Sequence, residues 1–182
     1  MEKIITEIQL NEIMEPFLGK SVTRSWKGHG SALFLEIGSL DKGKGELTIM
    51  IEWSWRVERN QSIWFGSWSE DDQIERLIPK LNGYQLKNIS SFARLPEISV
   101  SLSENIWVNS FATSEENPEW ALIFNGNEII SRSGKILLIT KDNTEPINPG
   151  DLMLPVLLCC VFLNILLNFF KKYIFFGYYS YS

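Results

Sequence analysis

The sequence predicts an α+β fold in which two amphipathic helices accompany antiparallel β-sheet. Apolar and polar residues alternate strictly over residues 47–57, which is the period of a half-buried β-strand, and β-branched and aromatic residues fill the apolar positions. Two further stretches, residues 6–18 and 70–81, carry apolar residues at helical spacing. Seven Trp and eleven Phe favour an aromatic, sheet-rich core.

The length and the charge limit the classes of protein. A chain of 182 residues suits one domain, predicted here as residues 1–150, with an appendage at 151–182. A domain of about 150 residues buries roughly 70% of the surface that its unfolded chain exposes, so it needs no cross-links. The net charge is −5, and clusters of Lys and Arg are missing, so we predict no nucleic-acid partner.

The cysteines and the N-terminus indicate a reducing compartment. Cys159 and Cys160 are adjacent, so they do not form a disulfide framework. Residues 1–12 contain three Glu and lack the apolar stretch of a signal peptide. The sequence has no C-x-x-C, no G-x-x-x-x-G-K and no H-E-x-x-H. We therefore predict a cytoplasmic protein with no metal and no cofactor.

The first half, residues 6–68, begins with the helix predicted at 6–18. Pro16 should weaken its last turn, and Gly19 is a natural stop. Residues 47–68 are interpreted as a long antiparallel hairpin that has one very hydrophobic face and turns at residues 60–61. The strands predicted in this half are 22–26, 31–37, 47–57 and 62–68.

The second half, residues 70–140, begins with the helix predicted at 70–81. Ser69 can cap it, and Glu70, Asp71 and Asp72 suit the positive end of the helix dipole. Pro79 costs a hydrogen bond in the last turn. The strands predicted in this half are 85–92, 97–102, 106–113, 119–124 and 135–140.

The two halves resemble each other, which indicates duplication of a helix-plus-four-strand unit. A shared helical pattern that arose by chance is the alternative. A groove is expected where the two halves meet. The residues Leu10, Ile13, Met14, Phe17, Gly19 and Val22 align without a gap on Ile74, Leu77, Ile78, Leu81, Gly83 and Leu86.

The tail, residues 151–182, differs from the rest in composition. Residues 152–170 form an uncharged apolar run that is long enough to cross a bilayer as a helix. The basic residues Lys171 and Lys172 lie on its C-terminal side, so the positive-inside rule would export the acidic domain, which has no signal sequence. Three interpretations remain open: an aberrant, frameshifted C-terminus, a membrane anchor and a buried helix. Membrane contact, and with it a membrane-associated location, is expected only through 152–170.

No group of residues predicts catalysis. His29 is the only histidine and lies between two glycines, where a mobile loop is expected. Glu115 and Glu116, with Glu119, resemble an acid/base site, but the Asn-Pro step at residues 117–118 is better explained as a turn among solvated acids.

Exposed aromatic and acidic residues are the better candidates for binding. Trp53 and Trp55 are expected in the core, because they share a strand face with isoleucines. Trp64 and Trp68 flank Gly66, and a Gly between two Trp leaves a shelf on which a sugar, a peptide or a neighbouring strand can stack. The candidate binding residues are Trp64, Trp68, Glu70, Asp71, Asp72, Glu115 and Glu116.

The segments MIEWSWRVE, SIWFGSW, FARLPEISVSLS and WVNSFATSEENPEWAL resemble a group of small uncharacterised bacterial proteins that have the same order of elements. The resemblance covers residues 18–124 and implies no catalytic residues. In size and composition such proteins are similar to immunity proteins of bacterial toxin systems.

We therefore expect a non-enzymatic bacterial protein that binds another protein, in particular an immunity protein that neutralises a toxin. The alternative is a small-ligand or carbohydrate-binding module that uses exposed Trp residues. An unrecognised enzyme centred on His29 or on residues 115–119 is a third hypothesis, and a purely structural protein is the fourth.

Overall fold

Two antiparallel β-sheets and two short helices make up the part of the chain that the structure, a computed structural model, describes: residues 1–113 and 119–141. This arrangement confirms the predicted α+β fold. From one edge to the other, the seven-stranded sheet contains β1 (Glu2–Ile5), β12 (Lys135–Ile139), β11 (Asn127–Arg132), β10 (Trp120–Phe124), β4 (Leu47–Ile51), β3 (Leu33–Ile37) and β2 (Val22–Lys27). The five-stranded sheet contains β6 (Ser62–Gly66), β5 (Trp55–Arg59), β9 (Ile106–Ser110), β8 (Glu97–Leu102) and β7 (Leu86–Phe92).

The first helix begins and ends where its sequence predicts. In α1 (Glu7–Met14) the Gln9 N–H donates to the Thr6 hydroxyl at 3.3 Å, and the Thr6 N–H donates to Gln9 Oε1 at 3.0 Å, which makes a capping box. The helix narrows to a 3-10 turn at Glu15–Phe17, because Pro16 removes a main-chain donor. Gly19 then adopts a φ of +80° and ends the element.

The second helix follows the same plan except at its start. α2 (Asp71–Leu77) continues as the 3-10 helix Ile78–Leu81, which contains Pro79. Its N-cap is Glu70, whose side chain makes no capping hydrogen bond. The predicted Ser69 cap is wrong, because the Ser69 hydroxyl accepts the Gly66 N–H at 3.1 Å instead.

One apolar core is shared by both sheets and both helices. Leu10 of α1 and Ile74 of α2 belong to the same buried cluster as Ile49 of the seven-stranded sheet and Val108 of the five-stranded sheet. Residues Met1–Lys141 form one compact unit.

The chain leaves one sheet for the other at residues 52–54. The alternation predicts a single strand over 47–57, but β4 ends at Ile51 and β5 begins at Trp55. β4 pairs with β3 and β10, whereas β5 pairs with β6 and β9, so the hairpin predicted over 47–68 is limited to β5–β6. Trp55 has its predicted core position, whereas Trp53 lies in the crossover and is 45% exposed.

The two halves exchange hairpins. After the meander β2-β3-β4, the hairpin β5–β6 crosses to the other sheet and joins β9. After the meander β7-β8-β9, the hairpin β10–β11 crosses in the opposite direction and joins β4. The first half therefore contributes five strands, β2 to β6, one more than the predicted four, because the stretch 47–57 forms two strands in place of one. The second half contributes six, β7 to β12, because β11 and β12 follow β10.

Main-chain hydrogen bonds repeat across the halves. The Gly19 N–H donates to the Leu86 carbonyl at 2.8 Å, and the Gly83 N–H donates to the Val22 carbonyl at 2.8 Å. The gapless alignment pairs Gly19 with Gly83 and Val22 with Leu86. Each glycine donates to the residue that is aligned with the other glycine's acceptor, so the alignment has a structural counterpart. They also join the two halves where the sequence predicts a groove. Origin by duplication stays a prediction.

Two strands have no counterpart among the sequence predictions. They are β1, which pairs with β12, and β11, which lies between β10 and β12. Among residues 1–113 and 119–141, no helix is long and apolar enough to cross a bilayer. The tail predicted at 151–182, with the apolar run 152–170, lies outside the described residues.

Candidate functional site

Trp53 and Trp68 form an exposed aromatic pair. Their ring centroids are 5.3 Å apart, and the rings meet edge to face at 71°. Trp68 is 79% exposed, the largest exposed fraction among the exposed large hydrophobic side chains of the described residues. Large aromatic side chains are usually buried, so an exposed pair of indoles indicates a surface available for contact.

The main chain under this pair is held by hydrogen bonds. The Ser67 N–H donates to the Trp55 carbonyl at 2.9 Å, and the Trp55 N–H donates to the Ser67 hydroxyl at 3.1 Å. In the crossover, the Glu52 N–H donates to the Glu119 carbonyl at 2.8 Å. Both indoles are therefore carried by anchored backbone, which lowers the conformational entropy lost when they contact another molecule.

Gly66 allows the close approach of β6 to β5. A Cβ atom at this position would lie 2.7 Å from the Trp55 carbonyl oxygen, closer than real Cβ contacts permit. Gly66 is buried, so its missing side chain leaves room for the main chain of β5 and leaves no open shelf for a ligand.

Carboxylates adjoin the exposed pair in the sequence. Glu52 precedes Trp53, and Glu70 and Asp72 follow Trp68; all three acids are exposed and form no ion pair within the described part of the chain. Asp71 differs, because its Oδ1 lies 2.6 Å from the Lys27 ammonium. We call Trp53, Trp68, Glu52, Glu70 and Asp72 the acidic aromatic patch.

The predicted shelf of Trp64, Gly66 and Trp68 is not formed. β6 ends at Gly66, so Trp68 lies beyond the strand and packs against Trp53. Trp64 is half-buried, and the Arg59 guanidinium lies 5.2 Å from its ring centroid. Of the predicted binding residues, Trp68, Glu70, Asp71 and Asp72 follow one another closely around the start of α2, while the Trp64 ring contacts Phe65 and Arg59.

The predicted acid/base candidates remain without a described site. Glu115 and Glu116 lie outside the described residues, and Glu119 is buried. His29 is exposed, and no hydrogen bond joins it to a carboxylate in the described residues. Within residues 1–113 and 119–141, no group of three or more His, Cys, Asp and Glu side chains could hold a metal ion.

Sequence reasoning missed Glu52 and Trp53. Trp53 keeps the alternation of its neighbours, so the pattern places it in the core, but the strand has already ended at Ile51. No local signal marks this break, because Glu52 and Ser54 also fit the alternating pattern.

Comparison with known proteins yielded no relative. No protein-family model, curated protein or solved structure was found to match this chain. The resemblance to small bacterial proteins and the likeness to immunity proteins stay predictions.

Proposed function

We propose that this chain is a non-enzymatic protein-binding protein, specifically a bacterial immunity protein that neutralises a toxin, and that it binds its partner through the acidic aromatic patch. The observation that carries this proposal is the exposed edge-to-face pair of Trp53 and Trp68, flanked in sequence by carboxylates that form no ion pair within residues 1–113 and 119–141.

The aromatic pair supports a protein partner because Trp dominates the energetics of many protein interfaces. A central Trp that is truncated to Ala typically costs about 2–4 kcal/mol of binding free energy. An indole has only two side-chain torsions, so it buries a large area at a low entropic cost. Trp68 is 79% exposed in this chain, so most of its surface is available to a partner.

The acids favour a basic partner. Glu52, Glu70 and Asp72 carry negative charge that no basic residue in the described part of the chain neutralises by an ion pair. Such a patch steers a positively charged protein during diffusion and raises the association rate, most strongly at low salt. Toxins that act on nucleic acids are commonly basic, because their substrates are polyanions.

The test is capture of a partner from the source organism by the tagged full-length chain. Three baits are compared: the wild type, Trp68→Ala, and Trp107→Ala as a matched control, since Trp107 is also exposed but lies on β9 away from the patch. We expect a basic protein that is retained by the wild type and by Trp107→Ala and is lost from Trp68→Ala.

The captured protein is then purified and tested for function. Its expression alone should arrest growth, and co-expression of this chain should restore growth unless Trp68 is replaced by Ala. The association rate should fall as salt rises, and less steeply for the variant Glu70→Gln/Asp72→Asn. Equal capture by all three baits, or a captured protein without toxicity, would contradict the proposal.

A further inference from the structure

The outward face of the five-stranded sheet carries a chain of polar side chains across three strands. The Ser99 hydroxyl on β8 donates to Asn109 Oδ1 on β9 at 2.7 Å. The Asn109 amide donates to Glu58 Oε1 on β5 at 3.1 Å, and Arg56 Nε donates to the same oxygen at 2.6 Å. These side chains hold one another in fixed orientations.

Aromatic rings border this polar network. Trp107 lies opposite Glu58 in the β5–β9 pairing and is 41% exposed. Phe92 and Phe111 meet edge to face with ring centroids 6.5 Å apart, and the Arg56 guanidinium lies 4.5 Å from the Phe111 centroid. The rings and the network line a shallow open depression of about 420 Å³.

The network leaves hydrogen-bonding capacity unused. In the described part of the chain, Glu58 Oε2, one Asn109 amide hydrogen, the two terminal Arg56 nitrogens and the Trp107 indole N–H have no intramolecular partner. The floor of the depression therefore offers donors and acceptors side by side, next to flat apolar surfaces.

We propose that this face is a carbohydrate-binding site, in which a sugar ring stacks on Trp107 and its neighbouring hydroxyl groups bond to Glu58, Asn109 and Arg56. A sugar hydroxyl both donates and accepts, so adjacent hydroxyls match a floor that mixes the two kinds of group. The C–H face of a sugar ring is weakly positive and packs on the negative face of an aromatic ring.

Other ligand classes fit this face less well. An anion finds no free positive charge, because the Arg56 guanidinium is already paired with Glu58. A purely apolar ligand would bury the polar floor without replacing the hydrogen bonds that water makes to it. A small metabolite is normally enclosed over most of its surface, whereas this depression is open and can lie along one face of an extended glycan.

This site is independent of the acidic aromatic patch. None of its residues belongs to the patch, and the predicted sugar shelf of Trp64 and Trp68 contributes no residue to it. Carbohydrate binding and protein binding can therefore be tested separately on the same full-length chain.

The first experiment is electrophoresis of the full-length protein in native gels that contain a neutral polysaccharide: β-glucan, galactomannan, dextran or xylan. We expect at least one of them to retard the wild type. Trp107→Ala should lose about tenfold in affinity, as expected for the loss of a stacking contact. Trp107→Tyr should keep part of the retardation, and Trp68→Ala should keep all of it.

The second experiment uses nuclear magnetic resonance with an oligosaccharide from the retarding polysaccharide. The Trp107 indole N–H and the Asn109 side-chain amide should shift on addition of the sugar, whereas the Trp68 indole should not. Sulfated dextran serves as the anionic control. The proposal is overturned if no neutral polysaccharide retards the protein, or if the anionic control alone does so. It is also overturned if Trp68→Ala abolishes the retardation while Trp107→Ala does not.

Discussion

Trp55 and Trp120 occupy equivalent positions in the two halves and make the same hydrogen bond. The Trp55 indole N–H donates to the Ser31 carbonyl at 2.6 Å, and the Trp120 indole N–H donates to the Pro96 carbonyl at 2.8 Å. Each Trp begins the hairpin that crosses to the other sheet, and each carbonyl lies close before the second strand of the meander from the same half. The two indoles therefore join the two sheets at equivalent places.

Replacing either indole by a smaller ring should destabilise the fold. In Trp55→Phe and in Trp120→Phe, a buried or partly buried carbonyl loses its donor and a small cavity remains, so each should lower the free energy of unfolding by about 2–3 kcal/mol. Urea denaturation followed by circular dichroism measures this change. Trp107→Phe is the control, and it should stay within about 0.5 kcal/mol of the wild type because Trp107 is partly exposed and makes no described hydrogen bond. A change at Trp55 or Trp120 no larger than in this control would refute a role in joining the sheets.

Local sequence patterns predict the elements of this fold well. Apolar spacing locates both helices, Pro16 and Pro79 locate their 3-10 ends, and alternation locates most strands. The turn at residues 60–61 is also predicted, and both of its residues adopt positive φ as a tight hairpin turn requires. These features depend on near neighbours in the chain.

The partition of strands between the sheets could not be predicted in this way. β4 and β5 share one alternating pattern, and only their pairing with the distant strands β10 and β9 separates them. β1 has four residues and depends on β12, more than a hundred residues away. The exposure of Trp53 follows from the same partition of strands, so the local sequence pattern could not predict that Trp53 joins Trp68 at the surface.

The contact between Trp53 and Trp68 should be measurable without a partner. In a double-mutant cycle of Trp53→Ala and Trp68→Ala, the coupling energy in the free energy of unfolding should be about 0.5–1.5 kcal/mol, the usual value for an edge-to-face pair. Trp68→Ala alone should unfold cooperatively, because most of its side chain is exposed. A cycle of Trp68→Ala with Trp107→Ala serves as the reference and should show no coupling. Additive effects in the first cycle would mean that the contact between the two rings does not stabilise the fold.

The start of α2 should be open to stabilisation. Glu70 is its N-cap without a capping bond, whereas the shorter Asp is among the preferred N-cap residues. Glu70→Asp should therefore raise the free energy of unfolding by about 0.5–1 kcal/mol, measured by urea denaturation. Thr6→Ala is the comparison with the opposite sign, because it removes an existing capping box and should cost about 1 kcal/mol. If Glu70→Asp has no effect, the local geometry does not allow the side chain to reach the first turn.

Glu46 should make stability depend on pH in the acid range. The hydrogen bond from the Lys20 ammonium, together with bonds from the Ser39 N–H and hydroxyl at 3.0 Å each, lowers the pKa of Glu46 from 4.5 to about 2. A carboxyl whose pKa is lowered by folding stabilises the native state fully above its unfolded pKa, and this contribution is lost as the pH falls through the folded pKa. The window therefore runs from about pH 4.5 down to about pH 2.

Urea denaturation at a series of pH values tests this expectation on the wild type, Glu46→Gln and Lys20→Met. The difference in the free energy of unfolding between the wild type and Glu46→Gln should be constant above pH 5 and should shrink as the pH falls through the window. Lys20→Met should lose less stability than the wild type as the pH falls through the window, because the substitution removes the largest cause of the lowered pKa while keeping the carboxyl. Parallel pH profiles of all three proteins would show that Glu46 titrates in the native state as it does in the unfolded chain.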